Sequence, residues 1–229
     1  MMAAEESAVE NHGMAFFDLL IRTSASLHPD GEPSDFISEY TGTIRCTDDR
    51  NGAVRRVGRV RAYRIHAGLA REAGESVYDA CDSHSQEMHE VYRAVFDAND
   101  DDIREEIRTQ FDGFDSDVLV VDYVLLAPRW RDLRLGLLAT RKLVDLFGGG
   151  CGLVVSFVHP LNPEADQFRR VPAGWIPRHA NSDEEKEARR TLRRYFRRMG
   201  FRKIEGTRFD GLSTAQPVPS LSDLLRGSG

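Results

Sequence analysis

The sequence predicts a single α/β domain of the α+β kind, in which a mixed, mostly antiparallel twisted sheet is flanked by helices. Three observations favour this class. An almost uninterrupted apolar strand at residues 119–127 leads through a turn into a helix that begins at Gly136. The dipeptide Asn51-Gly52, whose residues tolerate positive φ, separates two strand-like runs and predicts a hairpin. Apolar residues at helical spacing precede the core strand.

The N-terminal part of the chain is predicted to contribute antiparallel strands. Residues 14–24 are typical of a first strand and residues 36–47 of a second, with a turn-rich segment at 28–33 between them. The hairpin at Asn51-Gly52 then joins the second strand to a long strand-like run at 54–70.

A helical insertion at about residues 76–112 is predicted before the core strand. Its apolar residues recur at three- and four-residue spacing. They are Met88, Val91, Tyr92, Val95, Phe96, Ile103, Ile107 and Phe111. Potential metal ligands occur in the same segment, but Cys81, His84 and His89 would not converge on one face of a helix. We therefore predict the polar side of a helix there and no metal site.

The C-terminal half is predicted to alternate strands and helices. A helix at 136–147 stops at three glycines, and an apolar strand at 153–158 follows. A loop insertion at about 163–182, which contains Trp175, precedes a helix at 184–199. Ser182 and Glu185 have the spacing of a capping box at the start of this helix.

Length and composition set limits on the class of protein. A chain of 229 residues suits one domain, residues 1–229, with flexible termini expected at about 1–12 and 214–229. Only three of the 31 basic residues are lysine. The arginines are spread over predicted strands and helices and form no single stripe, which argues against a nucleic-acid partner.

The three cysteines have no paired spacing, which favours a reducing compartment. No apolar run reaches membrane-spanning length, and the start of the sequence lacks the order of a signal peptide. We therefore expect a cytoplasmic protein without a membrane partner.

The turn between the core strand and the helix at Gly136 has the properties of an anion site. The first N–H groups of a helix lack internal partners and lie at the positive end of its dipole. Arg129, Arg131 and Arg134 add positive charge to this turn. Neither the Walker pattern nor the dinucleotide glycine pattern is present there, so the usual nucleotide loops are disfavoured.

The sequence Arg131-Asp132-Leu133-Arg134-Leu135-Gly136 resembles the R-x-x-G-x-G/A loop of the GNAT acyltransferases, which transfer acyl groups from coenzyme A to amines. The order of the next elements is also similar: a strand, Asn162 in an N-x-x-A element, and a helix ending in an aromatic residue, glycine and phenylalanine. The similarity covers about the C-terminal half. Arg134 replaces the first loop glycine, and Phe196 occupies the position of the family tyrosine.

The resemblance implies an acyltransferase that uses acetyl-CoA or another acyl-CoA as co-substrate and a small-molecule or peptide amine as acceptor. The core strand of the family diverges from its neighbour, which would place the backbone of Leu125, Leu126 and Ala127 beside the thioester. The residues implied to bind the diphosphate are Arg131, Asp132, Leu133, Arg134, Leu135, Gly136 and Leu137. Asn162 would hold the pantetheine arm or, alternatively, initiate a turn.

Three polar residues are candidates for the catalytic base: Asp122 and Tyr123 within the core strand, and His159 after the next strand. A carboxylate in a buried strand is either functional or paired with an arginine, and we favour the pairing. His159 could equally be an exposed loop residue. The alternatives for the whole protein are a catalytically weak or inactive GNAT-like protein that binds coenzyme or a protein partner, and a nucleic-acid-binding module. Homodimer formation remains open.

Overall fold

The computed structural model describes residues 15–25, 32–113 and 115–226. Its centre is one seven-stranded sheet with the order β1-β2-β3-β4-β5-β7-β6. The strands are β1 (Ala15–Thr23), β2 (Ile37–Asp48), β3 (Val54–Ile65), β4 (Asp117–Leu126), β5 (Cys151–Phe157), β6 (Arg202–Lys203) and β7 (Phe209–Ser213). Neighbouring strands are antiparallel except for the parallel pair β4 and β5. The predicted fold class, a mixed and mostly antiparallel sheet with helices, is confirmed.

Helices cover both faces of this sheet. They are α1 (Ala67–Ala73), α2 (Val77–His84), α3 (Gln86–Val95), α4 (Glu105–Phe111), α5 (Leu135–Phe147), α6 (Ser182–Arg197) and α7 (Leu221–Arg226). Because side chains alternate along a strand, Leu119 and Val121 of β4 join the core under α5, α6 and α7. Val118 and Val120 join the core under the other four helices.

The N-terminal strands and their hairpin lie where the sequence predicts them. Gly52 adopts the positive φ of 67° that the turn between β2 and β3 requires. The run predicted as strand at 54–70 is shorter, however, because β3 ends at Ile65 and α1 begins at Ala67. The helical insertion therefore starts before residue 76. Ala67 and Ala70, small residues that favour helices, are the buried positions of α1.

The start of α6 also differs in detail from the prediction. Asn181, and not Ser182, is the capping residue, because its Oδ1 accepts hydrogen bonds of 3.0 Å from the N–H groups of Asp183 and Glu184. Asparagine is among the preferred residues at this position, so the helix begins two residues before the predicted Glu184.

Part of the segment predicted as a flexible C-terminus contains a helix. Residues 214–226 include α7, and its Leu224 is buried in the core. The short strands β6 and β7 were not predicted either. The predicted terminus at 1–12, Met14 at the start of the first strand, residues 28–31 of the turn and the last three residues lie outside the described part of the chain. No helix among the described residues is both long and apolar enough to span a membrane.

Candidate functional site

A cavity opens where the two parallel strands separate. β4 and β5 are paired from Asp117 with Cys151 to Val121 with Ser156. β5 then ends at Phe157, whereas β4 continues to Leu126. The cavity has a volume of about 660 Å³ and lies between the end of β4, the start of α5 and the side of α6. This volume is within the range of small-molecule sites.

The free edge of β4 presents backbone groups to this cavity. The N–H of Ala127 donates a 2.9 Å hydrogen bond to the carbonyl of Val57 and so points towards β3. Hydrogen-bonding directions alternate in an antiparallel ladder. The N–H groups of Val124 and Leu126 therefore point to the opposite edge, where β5 has already diverged.

The structure brings part of the predicted site together. The predicted residues that line the cavity are Asp122, Tyr123, Leu125, Leu126, Arg131, Gly136 and His159. The predicted residues outside the lining are Ala127, Asp132, Leu133, Arg134, Leu135, Leu137 and Asn162. All three candidates for the catalytic base are therefore among the residues that line one cavity.

Asp122 forms the ion pair that we favoured. Its Oδ2 accepts a 2.5 Å hydrogen bond from Nε of Arg61, and its side chain is only 7% exposed. Burial raises the pKa of Asp122, while the charge of Arg61 and this hydrogen bond oppose the rise. The guanidinium of Arg61 also lies over the rings of Tyr63 and Tyr123, at 5.4 and 5.3 Å from their centroids. Asp122 is thus held in place by a partner on β3.

His159 has the properties of a neutral base. Burial lowers the pKa of its imidazole below the ordinary value of 6.5; nearby Arg189 lowers it further, while Glu185 opposes this. The ring packs edge-on against Phe157, with 5.7 Å between the centroids. Because the pKa is lowered, the imidazole is neutral and able to accept a proton near pH 7.

One backbone N–H of the expected diphosphate loop is bound by a protein group. The hydroxyl of Tyr195 on α6 accepts a 2.9 Å hydrogen bond from the N–H of Leu137. A Cβ added to Gly136 would lie 2.8 Å from this hydroxyl, so the glycine makes room for the tyrosine. Burial raises the pKa of Tyr195 to about 12, so the hydroxyl stays protonated near neutral pH. The N–H of Leu137, which we expected to be available to phosphate, is therefore already engaged by Tyr195.

Two arginines of the predicted loop bind protein carbonyls. Arg131 donates through Nε to the carbonyl of Leu126 at 3.3 Å, and through Nη2 to the carbonyl of Trp175. Arg134 is in the left-handed region with a φ of 57°, and its Nη1 donates to the carbonyl of Leu224 at 3.2 Å. Arg134 therefore holds the end of α7 and does not point into the cavity.

The loop insertion covers one side of the cavity. Phe168 and Ile176 are buried against Leu125 of β4 in a small apolar cluster. Arg59 of β3 donates a 2.9 Å hydrogen bond to the carbonyl of Arg170 in the same loop. We call residues 160–181 the lid segment. Asn162 within it is exposed, and its Oδ1 accepts a 3.0 Å hydrogen bond from the N–H of Glu164. This contact is typical of a residue that initiates a turn, which is the alternative role given for Asn162 above.

Sequence reasoning missed other residues of the lining. They include Thr140, Ser156, His179, Glu184, Glu187, Thr191 and Tyr195. Ser156 could have been found, because it is the one hydroxyl in the apolar strand β5. The residues of α6 gave no such signal, since their orientation depends on how that helix packs.

Three arginines of α6 lie beside acidic groups of the same chain. Arg189 donates to Glu185 at 3.0 Å and Arg190 to Glu187 at 3.4 Å, while Arg193 lies 3.3 Å from the buried carboxylate of Asp210. These contacts reduce the charge available for nucleic acid. Among the described residues, no group of three or more His, Cys, Asp or Glu side chains is arranged to hold a metal ion.

Comparison with known proteins identifies no relative: no family model, no curated protein and no solved structure matches the chain. The chemistry of the cavity is therefore the basis for assigning a function.

Proposed function

We propose that this protein is an N-acyltransferase that transfers an acyl group from acyl-CoA to an amine in a ternary complex. The observation that carries the proposal is the divergence of β4 from β5 beyond Val121 and Ser156, which frees backbone N–H groups beside a cavity. The order of strand, helix and strand around this cavity also agrees with the GNAT resemblance of residues 131–136.

The donor would place its thioester along the free edge of β4. The N–H of Leu126 or Val124 would donate to the thioester oxygen and stabilise the negative charge that develops on it. The amine nitrogen attacks the carbonyl carbon, forming the C–N bond, and the C–S bond breaks. The amine proton passes to the base, and the leaving thiolate takes a proton from solvent.

His159 is the better candidate for the base. Its imidazole is neutral near pH 7 and lines the cavity, whereas the carboxylate of Asp122 is engaged by Arg61. Glu184 and Glu187 of α6 line the same cavity, and Glu187 is paired with Arg190. The charge of Glu184 would attract a protonated amine and favours an amine acceptor on the α6 side of the cavity.

The donor must compete with Tyr195 for the start of α5. A phosphate oxygen that binds the N–H of Leu137 has to displace the tyrosine hydroxyl from its 2.9 Å contact. Charge-assisted hydrogen bonds are stronger than neutral ones, so an anionic ligand can replace this hydroxyl. Binding of acyl-CoA should therefore be accompanied by movement of Tyr195.

Calorimetry with acetyl-CoA and longer acyl-CoA compounds, followed by a thiol-release assay on a panel of amines, tests the proposal. We expect saturable binding and amine-dependent thiol release.

His159→Gln should lower kcat about 10²-fold or more, with little change in acetyl-CoA affinity or thermal stability. Asp122→Asn is the matched variant, and it should lower stability and activity together because it breaks a buried ion pair. If Asp122→Asn lowers kcat alone and His159→Gln lowers stability and activity together, the base is Asp122. Absence of acyl-CoA binding would refute the proposal.

A binding protein without turnover is the second candidate. The replacement of the first loop glycine by Arg134 and of the family tyrosine by Phe196 favours it. In that case acyl-CoA binds with a measurable heat, but no amine on the panel releases thiol above the rate in buffer.

A nucleic-acid-binding module would instead show steeply salt-dependent affinity for DNA or RNA and no coenzyme binding.

A further inference from the structure

Among the residues that the structure describes, β1 is an edge strand of the sheet. β1 is paired with β2 along its whole length, from Ala15 with Asp48 to Thr23 with Tyr40. Within the described ranges, no strand pairs with its other edge. β1 contains no proline, lysine or bulge, which are the common devices that prevent a strand edge from pairing.

The side chains of β1 add apolar surface to this open edge. Phe16 is 63% exposed, Phe17 is 37% exposed and Leu20 is 39% exposed. Asp18 and Arg22 lie on the same face of the strand as Leu20, because side chains two residues apart point in one direction. The edge therefore combines exposed apolar side chains with two opposite charges at symmetric distances from Leu20.

We propose that β1 pairs antiparallel with β1 of a second copy, about a two-fold axis at Leu20, to form a continuous sheet through a homodimer. In this register Asp18 lies opposite the partner's Arg22, and Arg22 lies opposite the partner's Asp18. Leu20 faces the partner's Leu20. On the other face of the sheet, Leu19 lies opposite the partner's Ile21, and both residues already pack against the apolar core. The pairing extends that core across the interface.

The charges favour this register over those in which the two-fold axis lies at another residue of β1. A two-fold axis at Asp18 or Arg22 would place like charges opposite each other, which destabilises a strand pair. An axis at Leu19 or Ile21 would place one of the charges opposite the partner's Leu20. Asp18 already binds Nε of Arg45 through one oxygen at 2.7 Å, and the second oxygen is available for the partner's Arg22.

Sedimentation of the full chain at increasing concentrations tests the dimer. We expect concentration-dependent dimerisation of the unaltered protein. Asp18→Arg and Arg22→Asp should each raise the dimer Kd about tenfold or more, because each places two pairs of like charges opposite each other. An equimolar mixture of the two variants should dimerise again, since every charge then faces its opposite. The double variant D18R/R22D should also dimerise with itself.

A control separates the interface from folding. Arg45→Gln removes the contact of Asp18 within the chain but leaves the pairing with the partner's Arg22 intact, so its dimer Kd should stay close to that of the unaltered protein. A monomer at all concentrations, for example because residues 1–14 cover β1, would overturn the proposal. Failure of the mixed single variants to associate would refute this register.

Discussion

Tyr195 and Gly136 show how one residue pair changes the interpretation of a motif. The sequence suggests that Gly136 allows a phosphate to approach the backbone of α5. In the structure the space beside Gly136 holds the hydroxyl of Tyr195, which caps the N–H of Leu137. The glycine therefore makes room for a protein side chain without any ligand.

This pairing predicts a strong coupling between two substitutions. Gly136→Ala should cost about 1–3 kcal/mol, because the new methyl group would lie 2.8 Å from the hydroxyl of Tyr195. In a Tyr195→Phe background the nearest ring atoms lie at 3.5 Å, and the same substitution should be neutral or slightly stabilising. Urea denaturation of the four proteins measures the coupling. Equal costs in both backgrounds would show that Tyr195 is not the residue that restricts position 136.

The residue scale also shows where sequence reasoning stops. Asp122 was recognisable as a lone carboxylate in an apolar strand, and a pairing with an arginine was favoured. Which of the many arginines it binds was not predictable, because Arg61 lies 61 residues away along the chain and is brought beside it by the pairing of β3 with β4.

At the scale of elements, the lid segment forms a separate small unit above β4. Phe168 and Ile176 bury themselves against Leu125 and not in either main core. This apolar cluster is much smaller than the two main cores, and elements with a small cluster of their own open locally without unfolding of the whole domain. The lid is therefore placed to control access to the cavity.

Phe168→Ala should accelerate limited proteolysis within residues 160–181, while the thermal midpoint of the whole protein changes little. The physical reason is that the substitution removes the main apolar contact of the lid but no residue of the two large cores. Arg169→Ala is the control, since that side chain is 76% exposed and should leave the cleavage rate unchanged. A large fall of the midpoint with no preferential cleavage in the lid would contradict a separate unit.

The ends of strands and helices were predictable where a local sequence signal, such as a turn dipeptide, marks them. Elsewhere they were not predictable. The hairpin after β2 was found from Asn51-Gly52. β6 and β7 were missed, because β6 spans only Arg202–Lys203 and β7 carries Asp210 and Gly211 within its five residues. Their strand conformation depends on pairing with β5, which local sequence does not encode.

At the scale of the whole molecule, two histidines should make stability depend on pH. Burial lowers the pKa of both His84 and His159 below the ordinary value of 6.5. The unfolded chain then binds protons more readily than the folded chain as the pH falls below about 6.5. Above about pH 6.5 these histidines should therefore not reduce the free energy of unfolding. Below that pH the free energy of unfolding should decrease, until the pH reaches the lowered pKa values of the folded protein.

Denaturant unfolding between pH 7.5 and 5 measures this dependence. His84→Gln and His159→Gln should each reduce the slope in the window below about pH 6.5, because glutamine does not titrate. His89→Gln serves as a comparison at an exposed ion pair with Asp82. An unchanged slope in both variants would show that other groups control the acid response.

The sequence by itself determined the class of fold, the order of strand, helix and strand at the centre, and the lone polar residues Asp122, Tyr123 and His159 within or after the apolar strands. These features depend on local patterns, because apolar periodicity and turn residues act over a few neighbouring positions. The tertiary structure decided which groups meet in space: Arg61 with Asp122, Tyr195 with the start of α5, and Arg134 with the end of α7. Those contacts join residues far apart in the chain, and packing of the helices on the sheet selects them.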